Sequence, residues 1–334
     1  MSKLYLPKIA RIESCIRCQL KCKCCNIKEF YDENPPKNYY LTANNFNKFI
    51  KKNRFIKIVE LSNNGEMFLN PELKDIIIAA NKNKVVLTAR TGVNFNYASD
   101  DVLETMVKYK FHSMNIAIDG TSQETYSEYR VNGNFEKVIS NIKRLNYYKE
   151  KYNSQYPILY YQFIIFGHNE HEMPEAKKLA KALNMKLYFK RNLFHEYSPI
   201  KNPDFVAKEL NLPKIVVEAN ENGEEDKIQS MQTCTQLWFE PQIQCDGTFL
   251  GCCCQYFDSN LNVFELGLKK VLENTKIKNS KKVLCNEIEE KDNIICKDCG
   301  VYAYRKKTKS YITQSMIEDT KNYIEKYIKD TYIY

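Results

Sequence analysis

Several features are scarce in this chain, and each scarcity excludes something. Tryptophan occurs once in 334 residues, while tyrosine, lysine, asparagine and isoleucine abound. That bias reads as base composition rather than function. No apolar run approaches the roughly 20 residues of a membrane span; "IIIAA" is the nearest. The opening "MSKLYLPKIARIES" lacks the continuous apolar core of a signal peptide. These absences predict a cytoplasmic protein with no membrane partner. Basic runs such as "KNSKK" lack the interleaved aromatics that stack bases, so nucleic acid is not an expected partner. Between Cys25 and Cys234 there is no cysteine at all.

What is present is an ordinary globular balance, 43% apolar and 27% charged. The length suits one large domain and a smaller one. The formal charge of +9 fits a solvated, lysine-rich surface or an anionic substrate such as a phosphorylated or nucleotide-linked molecule. The thirteen cysteines fall into two groups, five between Cys15 and Cys25 and eight between Cys234 and Cys299. An odd count in a reducing compartment, with adjacent pairs such as Cys24–Cys25, argues against disulfides and for metal.

Over residues 1–195 short apolar strands alternate with amphipathic helices. "IARIES", "FIKIVELS", "KVVLTAR", "SMNIAID", "ILYYQFIIF" and "KLYFKR" read as six strands. The helices between them are predicted to start at Thr42, at Asn70 with Pro71 in the first turn, and at Ser99. Such alternation means a parallel sheet with right-handed crossovers, either an open doubly wound sheet or a full or partial barrel. In each case ligands meet the carboxyl ends of the strands, and the first cysteine loop follows the first strand. Residues 196–230 are polar and turn-rich and read as a linker or crossover. Residues 231–310 begin with what looks like two strands joined at Asp246-Gly247. Residues 311–334 carry a last helix, expected to pack along the outside.

Cys18, Cys22 and Cys25 stand in a CxxxCxxC spacing. A structural zinc site wants four closed ligands. A four-iron cluster held by three thiolates leaves one iron open to a chelating small molecule. CxxxCxxC after a first strand resembles the radical S-adenosylmethionine (radical SAM) family. So do "LSNNGEMFLNPEL", similar to that family's glycine–glutamate stretch, "TARTG" at the end of the third strand, and "NIAIDGTSQETYSEYRVNGNFEKVISNI". These matches run in order over the first 190 residues or so.

The resemblance implies an α/β fold: a partial (β/α)6 TIM-like barrel with a smaller C-terminal α+β auxiliary-cluster domain. It implies a 4Fe–4S cluster on Cys18, Cys22 and Cys25, with SAM held by Asn64, Gly65, Glu66, Asp119 and Arg130. It also implies reductive SAM cleavage to a 5′-deoxyadenosyl radical, and an electron donor such as flavodoxin or ferredoxin. Two positions depart from the family pattern. Cys24 stands where an aromatic or methionine is common, and Ala117 where a serine or threonine is. Cys15 matches no role and reads as structural.

Cys234, Gly247 and Cys252 resemble the opening of the SPASM/twitch extension, and "CKDC" supplies Cys296 and Cys299. With no cysteine after Cys299, the shorter twitch form is implied: one auxiliary 4Fe–4S cluster on Cys234, Cys252, Cys296 and Cys299. Cys245, Cys253, Cys254 and Cys285 are left over and read as structural. Cys253 or Cys254 could instead donate hydrogen to a substrate radical. An acid serves as base after the second ligand in some members; here that position is Cys253. The expected enzyme oxidises a sugar, polyol or peptide. The alternatives are a radical epimerase or peptide maturase with a cysteine donor and, from another class, a zinc-binding structural protein. With the barrel beginning almost at once, a peptide-binding extension is not expected.

Overall fold

The computed structural model describes residues 5–25, 38–194, 196–214, 217, 234–253, 261–290 and 293–334. Strand formation follows the apolar runs. The strands are β1 (Ile9–Ile12), β2 (Ile58–Glu60), β3 (Val86–Val93), β4 (Ser113–Ala117), β5 (Ile158–Ile164) and β6 (Lys186–Lys190). Each pairs in parallel with the next in chain order. Ile9, Ile58, Val59, Met114, Ile116 and Phe163 are fully buried, as parallel strands covered by helices require. Sequential parallel neighbours, with a helix in each crossover, are the winding of a β/α barrel. The sheet ends at β6 and does not close on β1, which makes the barrel partial.

Helices lie where the 3.6-residue pattern puts them: Ala43–Lys52, Leu73–Lys82, Asp100–Lys108, Phe135–Lys151 and Met173–Ala182. Thr42 caps the first, its Oγ1 accepting from Asn45 N at 3.1 Å. The expected cap at Asn70 is corrected. The helix begins at Leu73 with Glu72 at the N-cap position; Asn70 Oδ1 accepts from Glu72 N at 2.8 Å, while its Nδ2 donates to Ser14 O and Leu41 O, each at 2.9 Å. Ser99 stands at the N-cap position, but its hydroxyl bonds Asp101 rather than the helix backbone. A further helix, Gln123–Tyr129, follows β4, and the stretch read as a linker carries another, Pro203–Leu210.

The second cysteine group is joined to the barrel sheet. β7 (Gln242–Ile243) lies parallel beside β1, and β8 (Phe249–Gly251) returns antiparallel. The turn between them falls at Asp246-Gly247, with Gly247 at φ +95°. Upstream, Gln236–Phe239 forms one helical turn where a strand was expected. Lys52 Nζ donates to Phe264 O at 2.9 Å, and Asn53 Oδ1 accepts from Leu268 N at 2.8 Å. The last helix, Gln314–Thr331, packs outside, with Tyr327 under Arg90 at 4.8 Å. No helix among the described residues is long and apolar enough to cross a membrane.

One ion-pair network fastens these parts. Glu60 is fully buried, and its carboxylate accepts from Arg90 Nε at 3.1 Å and from Thr88 and Ser62 hydroxyls at 2.7 Å. Arg90 Nη2 reaches Glu240 at 3.1 Å, and Arg11 reaches the same carboxylate at 3.7 Å. Burial alone would raise the Glu60 carboxyl, but Arg90 and Arg11 outweigh it and hold it below the usual range. Arg90→Ala should therefore cost about 3 kcal/mol or more by stranding Glu60. The double change Arg90→Met, Glu60→Gln should cost clearly less. Anaerobic urea unfolding of the three proteins checks this; equal losses would mean the pair carries no such penalty.

Candidate functional site

A cavity of about 1030 Å³ opens at the carboxyl ends of the strands. The thiol loop after β1 forms one wall, with Cys18, Cys22 and Cys25. The loop after β2 adds Asn64, Gly65 and Glu66. Arg130 comes from the segment after β4, Gln162 from β5 and Lys190 from β6. The wall facing the thiols is thus built from strand ends, as the barrel geometry demands.

The loop is held by its neighbours' backbone. Lys21 N donates to Val131 O at 3.0 Å, Lys23 N to Tyr129 O at 3.3 Å, and Glu66 N to Arg17 O at 2.8 Å. Gly65 is required by this packing: a Cβ there would meet Cys15 O at 1.9 Å. The missing side chain therefore admits the backbone of Cys15 and Ile16. Cys15 is fully buried in this contact, as its structural reading expects. Cys24 packs with Cys22 against Tyr129, Ile164 and Phe166, as a small apolar side chain would.

Glu13, at the end of β1, accepts from Asn64 N at 2.7 Å and Gly65 N at 3.4 Å, and so sets the turn before Glu66. Burial pushes its carboxyl up to about 8 despite those bonds. Glu66 is 1% exposed and bridges two loops, accepting from Phe68 N at 3.0 Å and Asn94 N at 2.7 Å. Burial pushes it up to about 7. Asn94 in turn donates to Cys18 Sγ at 3.5 Å.

Asp119, at φ +54°, is fully buried behind Arg130. Its Oδ1 accepts from Ile164 N at 2.6 Å, and its Oδ2 from Arg130 Nε at 2.7 Å and Nη2 at 2.5 Å. Both carboxylate oxygens are thus engaged. The guanidinium lies over the Tyr129 ring at 4.9 Å and turns Nη1 to Cys22 Sγ at 3.6 Å. Burial raises the Cys22 thiol and Arg130 opposes the rise. Burial also pushes Cys18 up to about 12. A thiol so buried is neutral until a metal supplies the compensating charge.

Among the described residues, no three His, Cys, Asp or Glu side chains converge on a point as ligands of one ion do. Around a multi-iron cluster each thiolate meets a different iron, and wider spacing is needed. The first group suits that: three thiols line one cavity wall, with N–H donors of Asn94 and Arg130 at two of the sulfurs.

In the second group, Cys234, Cys296 and Cys299 lie close enough for their charges to act on one another, and Cys253 acts on Cys234. Cys253 N donates to Gln236 Oε1 at 2.9 Å. Cys252 follows β8 directly. Cys253 is not among the residues that line the cavity at the strand ends. Cys254 lies outside the described residues.

Sequence reasoning missed Glu13, Asn94 and Gln162. Gln162 is 2% exposed and lines the cavity, and its Oε1 has no hydrogen-bond partner among the described residues. It pairs in register with Ala117 and faces Gly92, where a Cβ would come within 2.9 Å of its amide nitrogen. The small residues at 92 and 117 thus make room for the longer side chain. That co-occurrence is the signal that could have found it. Lys190 also lines the cavity, and burial lowers its ammonium's pKa against the opposing pull of Asp119.

The radical SAM superfamily model matches residues 12–180, half of the chain, and the protein belongs to that superfamily. Its members use a 4Fe–4S cluster and SAM, and the chain is accordingly an enzyme of SAM-cleaving radical chemistry. The zinc-binding reading is set aside by that membership.

No curated protein matches the sequence. Among solved structures, Streptococcus suis SuiB bound to S-adenosylmethionine is 14% identical with a TM-score of 0.62, covering 89% of this chain and 72% of that one. SuiB bound to its precursor peptide SuiA gives 13%, 0.61, 90% and 71%. Native anSMEcpe with bound AdoMet gives 15%, 0.59, 87% and 86%. At such identities the likeness is one of fold. The family match ends before the second cysteine group.

The raised carboxyl of Glu13 has a consequence for stability. A folded-state value near 8, against about 4.5 unfolded, means that stability is lost as pH rises between the two. Each unit of difference is worth about 1.4 kcal/mol. Glu13→Gln should remove that slope, so that the variant gains on the parent from pH 5.5 to pH 8. Urea midpoints at the two pH values test it, and parallel pH profiles would count against the assignment.

Proposed function

We propose that Cys18, Cys22 and Cys25 hold the SAM-binding 4Fe–4S cluster and that this chain oxidises its substrate with the help of an auxiliary cluster. The observation that carries the first part is the meeting of those three thiols with Glu66, Asn94 and Arg130 on one cavity at the strand ends. Bound there, cluster and SAM would supply the radical chemistry that removes a hydrogen atom from the substrate.

The protein's own part is binding and shielding. Arg130, aimed by Asp119, offers a guanidinium to the SAM carboxylate. The Asn64–Gly65–Glu66 turn, set by Glu13, offers acceptors to the SAM ammonium. Asp119 acts through Arg130 as a positioning residue, since its own oxygens are engaged. Tyr129, Ile164 and Phe166 exclude water beside the thiol loop.

The second part rests on Cys234, Cys252, Cys296 and Cys299 as a twitch-type ligand set that accepts an electron from the substrate radical. The mutual nearness of Cys234, Cys296 and Cys299 supports it. The substrate is a sugar, polyol or peptide. A peptide gains from the SuiA-bound structure of similar fold, and an anionic sugar from the net charge of +9. The electron donor is a flavodoxin or ferredoxin. The second reading is a radical epimerase or peptide maturase with Cys253 or Cys254 as hydrogen donor; Cys253 is not among the residues that line the cavity.

The first experiment is anaerobic reconstitution with iron and sulfide, reduction with dithionite, and chromatography for 5′-deoxyadenosine after SAM is added. Formation of that product is expected; its absence from iron-loaded protein would sink the reading. Iron should reach about eight per chain, and about half of that after Cys18, Cys22 and Cys25 are all changed to Ala. Retention of all the iron in the triple variant would remove the ligand assignment. Cys253→Ala and Cys254→Ala should each leave SAM cleavage intact. A racemised product lost in either variant would favour the hydrogen-donor alternative.

A further inference from the structure

Among the described residues, Arg305 is the largest fully buried side chain, with no exposed surface. It lies on the helix Gly300–Thr308, whose N-cap is Cys299. Its Nε donates to Cys234 Sγ at 3.3 Å, and its Nη1 to Ser310 O at 2.6 Å. Ser310 N returns a bond to Arg305 O at 3.0 Å, which locks the side chain at the end of its own helix. One short helix therefore presents a cysteine of the second group at its start and a cation for another cysteine of that group near its end.

Burying a guanidinium costs several kcal/mol unless anionic or polar partners compensate it, and arginine does not shed its proton to escape the cost. A neutral thiol is a poor partner for such a group. A metal-bound thiolate is a good one, because the charge-assisted N–H···S bond strengthens as the sulfur gains electron density. Cys296 bonds Ser280 and lies where the charges of Cys234 and Cys299 reach it. The cation thus bonds one expected auxiliary ligand, Cys234, and its charge also reaches Cys285.

We propose that Arg305 sets the reduction potential of the auxiliary cluster, raising it through the hydrogen bond and positive charge delivered at Cys234. This rests on the auxiliary-cluster reading given above. Net charge, hydrogen bonds to sulfur and burial are the protein's levers on such potentials. A cation at a ligand sulfur favours the reduced, more negative state. The oxidised cluster becomes a better acceptor for one electron from the substrate radical. That radical loses one electron and one proton to give the oxidised product; the proton leaves to water, and Arg305 keeps its own. Arg305 is a positioning and tuning residue and touches no substrate.

The test is a potentiometric titration followed by electron paramagnetic resonance. It uses the full chain, reconstituted with Cys18, Cys22 and Cys25 changed to Ala so that the second cluster reports alone. Arg305→Gln should move the midpoint to more negative potential at unchanged iron content of about four. Arg305→Lys, which keeps charge but loses the planar fork, should move it less in the same direction. An unchanged midpoint in Arg305→Gln with its iron retained would overturn the inference while leaving the cluster in place. If the parent protein holds no iron, the auxiliary-cluster reading itself fails, and the inference with it. If Arg305→Gln does not assemble, Arg305→Lys decides: a negative shift supports the inference and an unshifted midpoint overturns it.

Discussion

The cavity depends above all on the buried pair of Asp119 and Arg130. Asp119 takes a left-handed conformation at the end of β4, accepts from the backbone of β5, and fixes the guanidinium between itself and Cys22. Two strands and the thiol loop are thereby set by one salt bridge. Such a pair is expensive to bury and more expensive to break, which makes it a device for specifying position rather than for adding stability. Its second role is electrostatic. The same cation that orients the loop lies against the sulfur of Cys22, a proposed cluster ligand.

A parallel principle governs the β2 side. Glu13 and Glu66 are buried carboxylates whose oxygens are taken by backbone N–H groups of the turns they shape. Burial holds both above the ordinary carboxylate range. The turn over residues 64–66 is therefore held by hydrogen bonds from below, while its glycine lets the cysteine loop lie directly on it. Side chains that a sequence comparison would treat as ligand contacts are, in large part, the supports of a backbone frame.

The two cysteine groups share a single strand as their base. The first loop leaves the end of β1, and β7, which leads to the second group, lies parallel beside it. Arg11 and Arg90 reach across to Glu240 just before β7. Arg305 repeats, at Cys234, the pattern of Arg130 at Cys22: a buried guanidinium donating to a cysteine sulfur. In both places the N–H···S bond strengthens as the sulfur gains charge.

Much of the barrel was legible in the sequence, because parallel strands are apolar runs and their helices carry a 3.6-residue stripe, and both are local patterns. The CxxxCxxC spacing and the turn at Asp246-Gly247 were legible for the same reason. The start expected at Asn70 shifted to Leu73, with Asn70 Oδ1 accepting from Glu72 N and its Nδ2 tied to Ser14 and Leu41, which are distant in the chain. The joining of β7 to β1, the support given by Glu13, the cavity-facing amide of Gln162 and the contact of Arg305 with Cys234 involve pairings far apart in the chain, and no local pattern encodes them. The sequence by itself determined the six strands of the barrel, their order and the two thiol groups. Only tertiary structure decided which carboxylates and guanidiniums meet those thiols, because burial and charge compensation are properties of the folded interior and not of neighbours along the chain.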